Sequence, residues 1–374
     1  MVNVKEFFDT LNEEGVRNFS GVPDSLLKSV CAYISDNTEK SKHLITANEG
    51  SAIALAVGQY ISSGKPSLVY LQNSGMGNAI NPLLSLADPE VYGIPMVILI
   101  GWRGEPGVKD EPQHTKQGAV TKELLEVCSL PTEIIDSQTE NIKEILKDLI
   151  KKSIKRSQPV VLLAKKGTFE DYTLRNTNRD IANISREKII ESIVDSSDAN
   201  DVFVSTTGMA SRELFEIREQ KRQSHDRDFL TVGSMGHACM IALGIAQNTS
   251  KQVVCIDGDG SSIMHLGNLT SIGQSNQKNL IHIVINNAAH DSVGGQPTIA
   301  DEINLPNIAR SCGYNLIYSI NKIEDLKAVI SLMKSRPGPH FFEIKACKGS
   351  RKDLGRPTST PLENKVSIMQ SLKS

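Results

Sequence analysis

The chain has 374 residues, which is long for one hydrophobic core and fits two domains of roughly 100–200 residues each. It carries 41 Lys and Arg against 43 Asp and Glu, for a formal net charge of -2. This balance argues against nucleic acid or an acidic membrane surface as a partner. The longest apolar stretch, 93–102, is far shorter than the roughly 20 residues of a transmembrane helix. We therefore expect a globular protein with no membrane span.

The cysteines indicate a reducing compartment. The 6 cysteines are dispersed and show no CxxC spacing, and they are Cys31, Cys128, Cys239, Cys255, Cys312 and Cys347. A disulfide framework or a zinc site is therefore not expected. The first residues run directly into amphipathic sequence with early acids, which predicts neither a secretory signal nor a transit peptide. We expect a cytoplasmic protein.

Short apolar segments alternate with helical segments along the whole chain. The predicted strands of the first half are 18–20, 43–46, 68–71, 96–100, 133–135 and 160–163, and its helices include 51–62 and 141–155. The predicted strands of the second half are 202–205, 229–231, 253–256, 280–285, 315–317 and 340–344. Such alternation is typical of parallel sheets covered by helices. We predict two α/β domains at 1–165 and 186–374, joined by a polar linker at 166–185.

The two halves match each other at an offset of 186 residues. Four identical pairs coincide there, namely Ala52 with Ala238, Ala56 with Ala242, Gly58 with Gly244, and Lys65 with Lys251. Each half then has a glycine-bearing loop after a buried strand, where open α/β sheets bind ligands. Internal duplication explains this pattern, and the general similarity of βαβ units is the alternative.

The most specific motif follows the predicted strand 253–256. It reads Asp-Gly-Asp-Gly-Ser-Ser at 257–262, and Asn286-Asn287 closes the next predicted strand. Neighbouring parallel strands would bring Asp259 and the asparagine pair to the same edge of the sheet. Their carboxylate and amide oxygens suit Mg²⁺, and Gly258 and Gly260 allow the backbone to approach a diphosphate. A glycine-rich turn without a ligand is the alternative.

This motif resembles the thiamine-diphosphate-binding motif of the thiamine-dependent decarboxylases. The resemblance implies thiamine diphosphate and Mg²⁺ as cofactors. It implies that the metal is held by Asp259, the Asn287 side chain and the Ala289 carbonyl, with Asn286 as the alternative side-chain ligand. It places the diphosphate near a set of small and hydroxyl residues, which are Thr207, Gly208, Gly258, Gly260 and Ser261.

A glutamate and a methionine extend the resemblance. Glu49 precedes the predicted helix 51–62, and by itself it would be an acid favoured by the helix dipole. The resemblance implies that Glu49 hydrogen-bonds the aminopyrimidine ring of the cofactor and activates it. It also implies that Met235, otherwise a core residue, bends the cofactor from below, and that the Gly233 carbonyl accepts the amino group.

The length narrows the resemblance to one family. Most thiamine-dependent decarboxylases have a middle domain, for which this chain has no room. The two-domain family of phosphonopyruvate and sulfopyruvate decarboxylases is similar through segments 21–27, 48–52, 73–78, 101–107, 110–114 and 292–298. It implies an α/β fold with two related open parallel-sheet domains of the thiamine-diphosphate-binding fold. It also implies a homodimer or homotetramer with active sites at the subunit interface.

The same resemblance implies an anionic 2-oxo acid as substrate. Its phosphonate or sulfonate would need cations, and the candidates are Arg103, Lys109, Arg351 and Arg356, each of which could instead be a solvated surface charge. Asp24 and His114 correspond to an acid and a histidine that family members use for proton transfer. A turn-forming aspartate and a surface histidine are the alternatives.

We therefore expect a carboxy-lyase that converts phosphonopyruvate to phosphonoacetaldehyde and CO₂ in phosphonate biosynthesis. One alternative is a decarboxylase of sulfopyruvate or of another 2-oxo acid. A second alternative, from a different class, is a non-catalytic regulatory protein that binds a nucleotide or the cofactor. The presence of Glu49, Asp259 and Asn287 argues against the regulatory protein.

Overall fold

A computed structural model describes residues 1–175 and 180–373. The chain forms two compact units, the first comprising Met1–Thr177 with Val293–Gln296 and the second Asn178–Ser292 with Pro297–Ser374. The predicted linker 166–185 includes 176–179, which lie outside the described residues. Its first part is attached to the first unit, because the Val2 N–H donates to the Thr168 carbonyl at 2.7 Å and the Glu170 N–H donates to the Val2 carbonyl at 3.0 Å.

The first unit is a parallel sheet covered by helices. Its 6 strands are β1 Phe19–Gly21, β2 His43–Ile45, β3 Leu68–Gln72, β4 Met96–Gly101, β5 Thr132–Ile135 and β6 Pro159–Ala164. Its helices are α1 Val4–Glu13, α2 Lys28–Asn37, α3 Glu49–Ser63, α4 Met76–Pro82, α5 Pro112–Val127 and α6 Ile142–Arg156. The strand order is β2-β1-β3-β4-β6-β5, and the paired strands are parallel.

The second unit has the same architecture. Its strands are β7 Val202–Ser205, β8 Asp228–Leu230, β9 Val253–Gly258, β10 Leu280–Asn286, β13 Ile317–Ile320 and β14 His340–Lys345. A separate pair, outside both six-stranded sheets, is formed by β11 Ala289–His290 and β12 Gln296–Pro297. Its helices are α7 Arg186–Asp195, α8 Met209–Gln220, α9 Ala238–Ala246, α10 Asp259–Met264, α11 Asn268–Gln274, α12 Leu305–Cys312, α13 Leu326–Lys334 and α14 Pro361–Ser371.

The two sheets have the same strand order. The second sheet, read from its β8 edge, runs β8-β7-β9-β10-β14-β13, which repeats the order β2-β1-β3-β4-β6-β5 of the first. The offset of 186 residues superposes β3 on β9 in the sequence. The prediction of two related parallel-sheet domains without a middle domain is confirmed.

Each sheet separates two apolar layers. In β3, Leu68 and Tyr70 pack in one layer, whereas Val69 and Leu71 pack in the other. Successive side chains of a strand point to opposite faces, so a sheet that is covered on both faces requires an unbroken apolar strand. The second unit follows the same rule, with Val254 in one layer and Cys255 in the other.

The predicted strands match observed strands with shifted ends. The strand predicted at 315–317 begins at Ile317, because the Asn315 side chain forms a turn by donating to the carbonyls of Pro337 at 2.9 Å and Gly338 at 2.8 Å. The motif 257–262 is not the glycine loop that we predicted. Its first two residues end β9 and the rest begin α10 at Asp259.

The six cysteines are free, and four of them are buried. Within residues 1–175 and 180–373, no helix combines the length and the apolar character that crossing a membrane requires.

We expect Gly273→Ala to destabilise the second unit. A Cβ on Gly273 in α11 would lie 1.9 Å from the carbonyl oxygen of Cys312 at the end of α12, so the two helices would have to separate. Overpacking of this kind costs roughly 1–3 kcal/mol, and the melting temperature should fall by several degrees. Gly244→Ala is the matched control, since this exposed helical glycine has no atom within 4 Å of its Cβ position and alanine favours helix. Equal melting temperatures for the two variants would contradict the packing argument.

Candidate active site

The second unit brings the predicted metal ligands together at the carboxyl ends of two paired strands. Asp259 directly follows β9, and Asn287 directly follows its neighbour β10. The hydroxyl of Thr298 donates to the Asp259 carboxylate, and the nearby backbone N–H of Asn287 lowers the pKa of that carboxyl group. Thr298 belongs to the segment 292–298 that the sequence singled out, but its contact with Asp259 was not predicted. The geometry places an anionic oxygen and an amide side by side.

Asp259 lies in surroundings that favour a cation. The side chain is 3% exposed, and burial raises the pKa of its carboxyl to about 6. A buried carboxylate is costly unless it gains hydrogen bonds or an opposite charge. A divalent cation would supply that charge, and the oxygen donors present suit Mg²⁺. The residues therefore fit the implied metal.

The two neighbouring asparagines differ in what they contact. Asn286 is fully buried, and its amide donates to the Ala300 carbonyl at 3.0 Å and to Glu343 Oε1 at 2.8 Å. Its Oδ1 accepts from the Ala288 N–H at 3.0 Å, so both sides of this amide are used within the unit. The Asn287 amide also bonds within the unit, but Asn287 lies beside Asp259, because its backbone N–H lowers the pKa of that carboxyl group. This placement favours Asn287 as the side-chain metal ligand.

Ala289 lies two residues beyond Asn287 at the start of β11. Its backbone N–H donates to Asn287 Oδ1 at 3.1 Å, which holds the segment in a tight turn. The turn keeps the backbone of the third predicted ligand beside the side chain of the second.

Among the predicted diphosphate residues, Ser261 has a hydroxyl group that is held by neighbouring polar groups. Ser261 Oγ lies 2.9 Å from Thr206 Oγ1 and accepts from the Gly236 N–H at 3.0 Å. Thr207 Oγ1 donates to the Val232 carbonyl at 2.9 Å, which ties the end of β7 to the segment before α9. Gly208 has a φ of 91°, a conformation that favours glycine, at the start of α8. Thr206 was missed by sequence reasoning.

Met235 lies close to the glycine-rich motif. A Cβ on Gly260 would lie 3.4 Å from Met235 Cε and 3.1 Å from the ring of His290. Gly258 is open, with no atom within 4 Å of its Cβ position. Burial lowers the pKa of His290 to about 4, so this ring is neutral at pH 7. Gly233 is half-buried in the same segment as Met235.

In the first unit, Glu49 is the first residue of α3 and is 5% exposed. Its Oε2 accepts from Asn78 Nδ2 at 2.7 Å. A Cβ on Gly75 would lie 2.3 Å from Oε1, so only glycine leaves room for this carboxyl group. Burial raises the pKa of Glu49. Gly75 and Asn78 belong to the segment 73–78 that the sequence singled out, but their contact with Glu49 was not predicted.

His114 and Arg103 share one carboxylate. Asp110 accepts from Arg103 Nε at 2.8 Å and Nη2 at 2.5 Å, and His114 Nδ1 lies 2.9 Å from Asp110 Oδ1. Because a carboxylate only accepts, the neutral ring carries its hydrogen on Nδ1 and has Nε2 as its acceptor, which lies 3.5 Å from Gln72 Nε2. Burial lowers the pKa of His114, although Asp110 opposes the shift. Arg103 Nη1 also donates to Ser25 Oγ at 2.7 Å.

Asp24 is fully buried and incompletely satisfied. Its Oδ2 accepts from the Leu26 N–H at 2.8 Å, whereas Oδ1 has no hydrogen-bond partner among the described residues. Burial raises its pKa to about 6, and the nearby Arg103 charge opposes the shift. A Cβ on Gly101 would lie 2.2 Å from Oδ2. An unpartnered buried oxygen is rare in folded proteins and indicates a place for a ligand or a proton.

Segment 73–78 connects the surroundings of Glu49 to those of Arg103. Asn73 donates to the Arg103 carbonyl at 2.8 Å and accepts from the Arg103 N–H at 3.0 Å. The same segment contacts Glu49 through Gly75 and Asn78. The position of Glu49 is thereby tied to that of Arg103.

The other basic residues that were predicted to bind the substrate lie in different surroundings from Arg103. Arg351 lies among carboxylates, with Nε 2.9 Å from Glu187, Nη1 3.2 Å from Asp353 and a further contact to Glu216. This placement favours a structural ion-pair cluster over substrate binding. Lys109 and Arg356 are exposed.

Comparison with known proteins explains this arrangement. Residues 3–125 match the model of the thiamine pyrophosphate enzyme N-terminal TPP binding domain, and 204–344 match that of the C-terminal TPP binding domain. The phosphonopyruvate decarboxylase of Streptomyces viridochromogenes is 34% identical, over 97% of this chain and 93% of that protein. The chain belongs to the phosphonopyruvate decarboxylase family. The phosphonopyruvate decarboxylase of Streptomyces hygroscopicus is 32% identical, over 97% of this chain and 92% of that protein.

A sulfopyruvate decarboxylase is a more distant relative of this family member. That of Methanosarcina acetivorans is 27% identical, over 92% of this chain and 91% of that protein. The matched N-terminal domain contains Asp24, Glu49 and His114, and the matched C-terminal domain contains Asp259 and Asn287. Membership of the family agrees with the resemblance inferred from the motifs.

We expect Asp24→Asn to change how stability depends on pH. The folded-state pKa of Asp24 is raised from 3.8 to about 6, so its contribution to stability is present below pH 3.8 and is lost as the pH rises through 6. The loss is on the order of 3 kcal/mol above pH 7. Without cofactor, the melting temperature of D24N relative to wild type should therefore rise between pH 4 and pH 7 and stay constant above it. Asp148→Asn, at an exposed position on α6, is the control, and an equal pH dependence in all three proteins would refute the assignment.

Proposed function

We propose that this protein is a thiamine-diphosphate-dependent carboxy-lyase that converts 3-phosphonopyruvate to phosphonoacetaldehyde and CO₂ in phosphonate biosynthesis. The observation that carries this proposal is the similarity to two phosphonopyruvate decarboxylases over 97% of the chain. Decarboxylation of sulfopyruvate is the second candidate, because a sulfopyruvate decarboxylase aligns over 92% of the chain at lower identity.

The cofactor groups have fitting residues in the second unit. Asp259, the Asn287 side chain and the Ala289 carbonyl would hold Mg²⁺, and the residues around Ser261 would contact the diphosphate. When bound, thiamine diphosphate supplies the electron sink for loss of CO₂. The role of the chain is to orient the cofactor and the substrate and to move protons.

Glu49 is suited to proton exchange with a ring nitrogen. Burial raises the pKa of its carboxyl group, so it retains a proton more readily than an exposed glutamate does. Asn78 fixes Oε2 at 2.7 Å, and the carboxyl group is further confined by Gly75. Such a group can donate or accept a proton during the reaction.

Asp24 and His114 would deliver the proton that replaces CO₂ on the product carbon. With a pKa of about 6, Asp24 is partly protonated at neutral pH, and its Oδ1 has no hydrogen-bond partner among the described residues. The Asp110 contact leaves Nε2 of His114 as the accepting atom of the neutral ring. The two groups can therefore hold a proton and pass it on.

Arg103 is the best supported contact for the substrate anion. Its contacts with Asp110 and Ser25 use three of the five guanidinium N–H groups, so two can still donate. The Arg103 charge partly offsets the rise that burial causes in the pKa of Asp24, so Arg103 lies near this carboxyl group. A phosphonate bound beside Arg103 would therefore also lie near Asp24. Lys109, in the same glycine-rich loop, is a second candidate.

We expect a homodimer or homotetramer with active sites at the subunit interface. Glu49 belongs to the first unit and the metal ligands belong to the second. The family resemblance places the cofactor between the first domain of one subunit and the second domain of another. The free cysteines agree with a cytoplasmic location.

We expect Glu49→Gln to retain cofactor binding and to lower turnover by a factor of about 100 or more, because proton transfer by a positioned group contributes about 10²–10⁴-fold. Calorimetry with thiamine diphosphate and Mg²⁺ measures binding, and CO₂ release measures turnover. Glu123→Gln, at an exposed position on α5, is the matched control and should behave as wild type. Near-normal turnover in E49Q would remove Glu49 from its proposed role.

A substrate panel tests the proposed reaction. Phosphonopyruvate should give the highest kcat/KM, ahead of sulfopyruvate and pyruvate, because the phosphonate carries the larger negative charge toward Arg103. Arg103→Met should reduce this preference over pyruvate. Preference for sulfopyruvate would establish the second candidate, and turnover of pyruvate alone would disprove the anion pocket. Failure to bind thiamine diphosphate with Mg²⁺ would exclude both enzyme functions and leave only a regulatory protein that binds a nucleotide.

A further inference from the structure

Asp291 connects the proposed metal ligand Asn287 to a buried ion pair. It lies four residues after Asn287, and its Oδ2 accepts from Asn287 Nδ2 at 2.6 Å. The same oxygen accepts from Arg186 Nη1 at 3.1 Å and from the Gly349 N–H at 2.9 Å. Three donors from distant parts of the second unit thus converge on one carboxylate oxygen.

The contact with Asp291 decides which way the Asn287 amide faces. A carboxylate can only accept hydrogen bonds, so the NH₂ group of Asn287 must point toward Asp291. Its Oδ1 then lies on the other side, where it accepts from the Ala289 N–H at 3.1 Å. The reversed amide would present NH₂ to a cation, and that group cannot act as a ligand.

Arg186 is itself held rigidly. It is the first residue of α7, it is 9% exposed, and it donates from Nε and Nη2 to the two carboxylate oxygens of Glu213 at 2.7 and 3.0 Å. Glu213, on α8, is 1% exposed. A two-point contact between buried side chains fixes the plane of the guanidinium group. Its remaining Nη1 therefore points at Asp291 in a set direction.

We propose that Asp291 and Arg186 are positioning residues that hold the Asn287 amide in the orientation that binds Mg²⁺. The inference rests on the proposed function, since it assumes that Asn287 is a metal ligand. Residues that orient metal ligands commonly change metal affinity by about 10–100-fold when they are replaced.

Calorimetry with Mg²⁺ at saturating thiamine diphosphate tests the proposal on the full chain. Asp291→Ala should weaken the apparent Mg²⁺ affinity about 10–100-fold. At saturating Mg²⁺ its kcat should return toward the wild-type value, because orientation affects occupancy of the site. Lys188→Ala is the matched control, since it removes an exposed ion pair with Glu191 from the same helix and should leave Mg²⁺ affinity unchanged.

Two milder variants provide the test if D291A does not fold. Asp291→Asn keeps an oxygen that can accept from Asn287 but loses the charge that attracts Arg186, and Arg186→Lys loses the two-point contact with Glu213. Each should weaken Mg²⁺ affinity less than D291A would. Unchanged affinity in the folded variants, or a lost kcat that saturating Mg²⁺ does not restore, would overturn the inference while wild type still binds both cofactors. Failure of wild type to bind them would instead reject the proposed function.

Discussion

The burial of carboxyl groups at the carboxyl ends of parallel strands is the constraint on which the site depends. Glu49, Asp24 and Asp259 are each at most 5% exposed, and burial raises the pKa of each. In water these groups would ionise well below neutral pH. Desolvation makes these carboxyl groups suited to hold protons or a cation. It also means that they need hydrogen bonds from their immediate neighbours.

Glycines provide the space that these carboxyl groups need. Gly75 leaves room for Glu49 and Gly101 leaves room for Asp24, since a Cβ on either would lie within 2.3 Å of a carboxylate oxygen. Hydrogen bonds to Asn78 and to the Leu26 N–H then fix the two side chains. The glycines of segments 73–78 and 101–107 thus leave room for buried carboxyl groups as well as forming turns.

The same sheet order carries different chemistry in the two units. The first unit places Glu49, Asp24 and the Asp110–His114 pair after its strands, which favours proton transfer. The second places Asp259 and Asn287 after β9 and β10, which favours a cation and a diphosphate. Parallel strands present their carboxyl ends at one edge, so each repeat could acquire its own side chains without a change of fold.

The sequence by itself determined the two α/β domains, their strands and the residues at the strand ends. Apolar runs such as 68–71 and 253–256 are readable because a sheet covered on both faces must be apolar throughout. The exact ends of the strands could not be read from the sequence, because side-chain contacts such as those of Asn315 decide where strand pairing begins. The roles of Glu49 and Asp259 could be predicted because both residues match positions in the motifs of a known family.

Only the tertiary structure decided which partners these residues have. Thr298 reaches Asp259 and Arg186 reaches Asp291 across long separations in sequence, and no local pattern encodes such contacts. The choice between Asn286 and Asn287 also depended on the fold, since Asn286 bonds to Ala300 and Glu343 whereas the Asn287 backbone lies beside Asp259. Arg351 illustrates the converse, because its charge looked available in the sequence and is surrounded by carboxylates in the fold. Local sequence sets the chemistry of a side chain, and packing sets what that chemistry can reach.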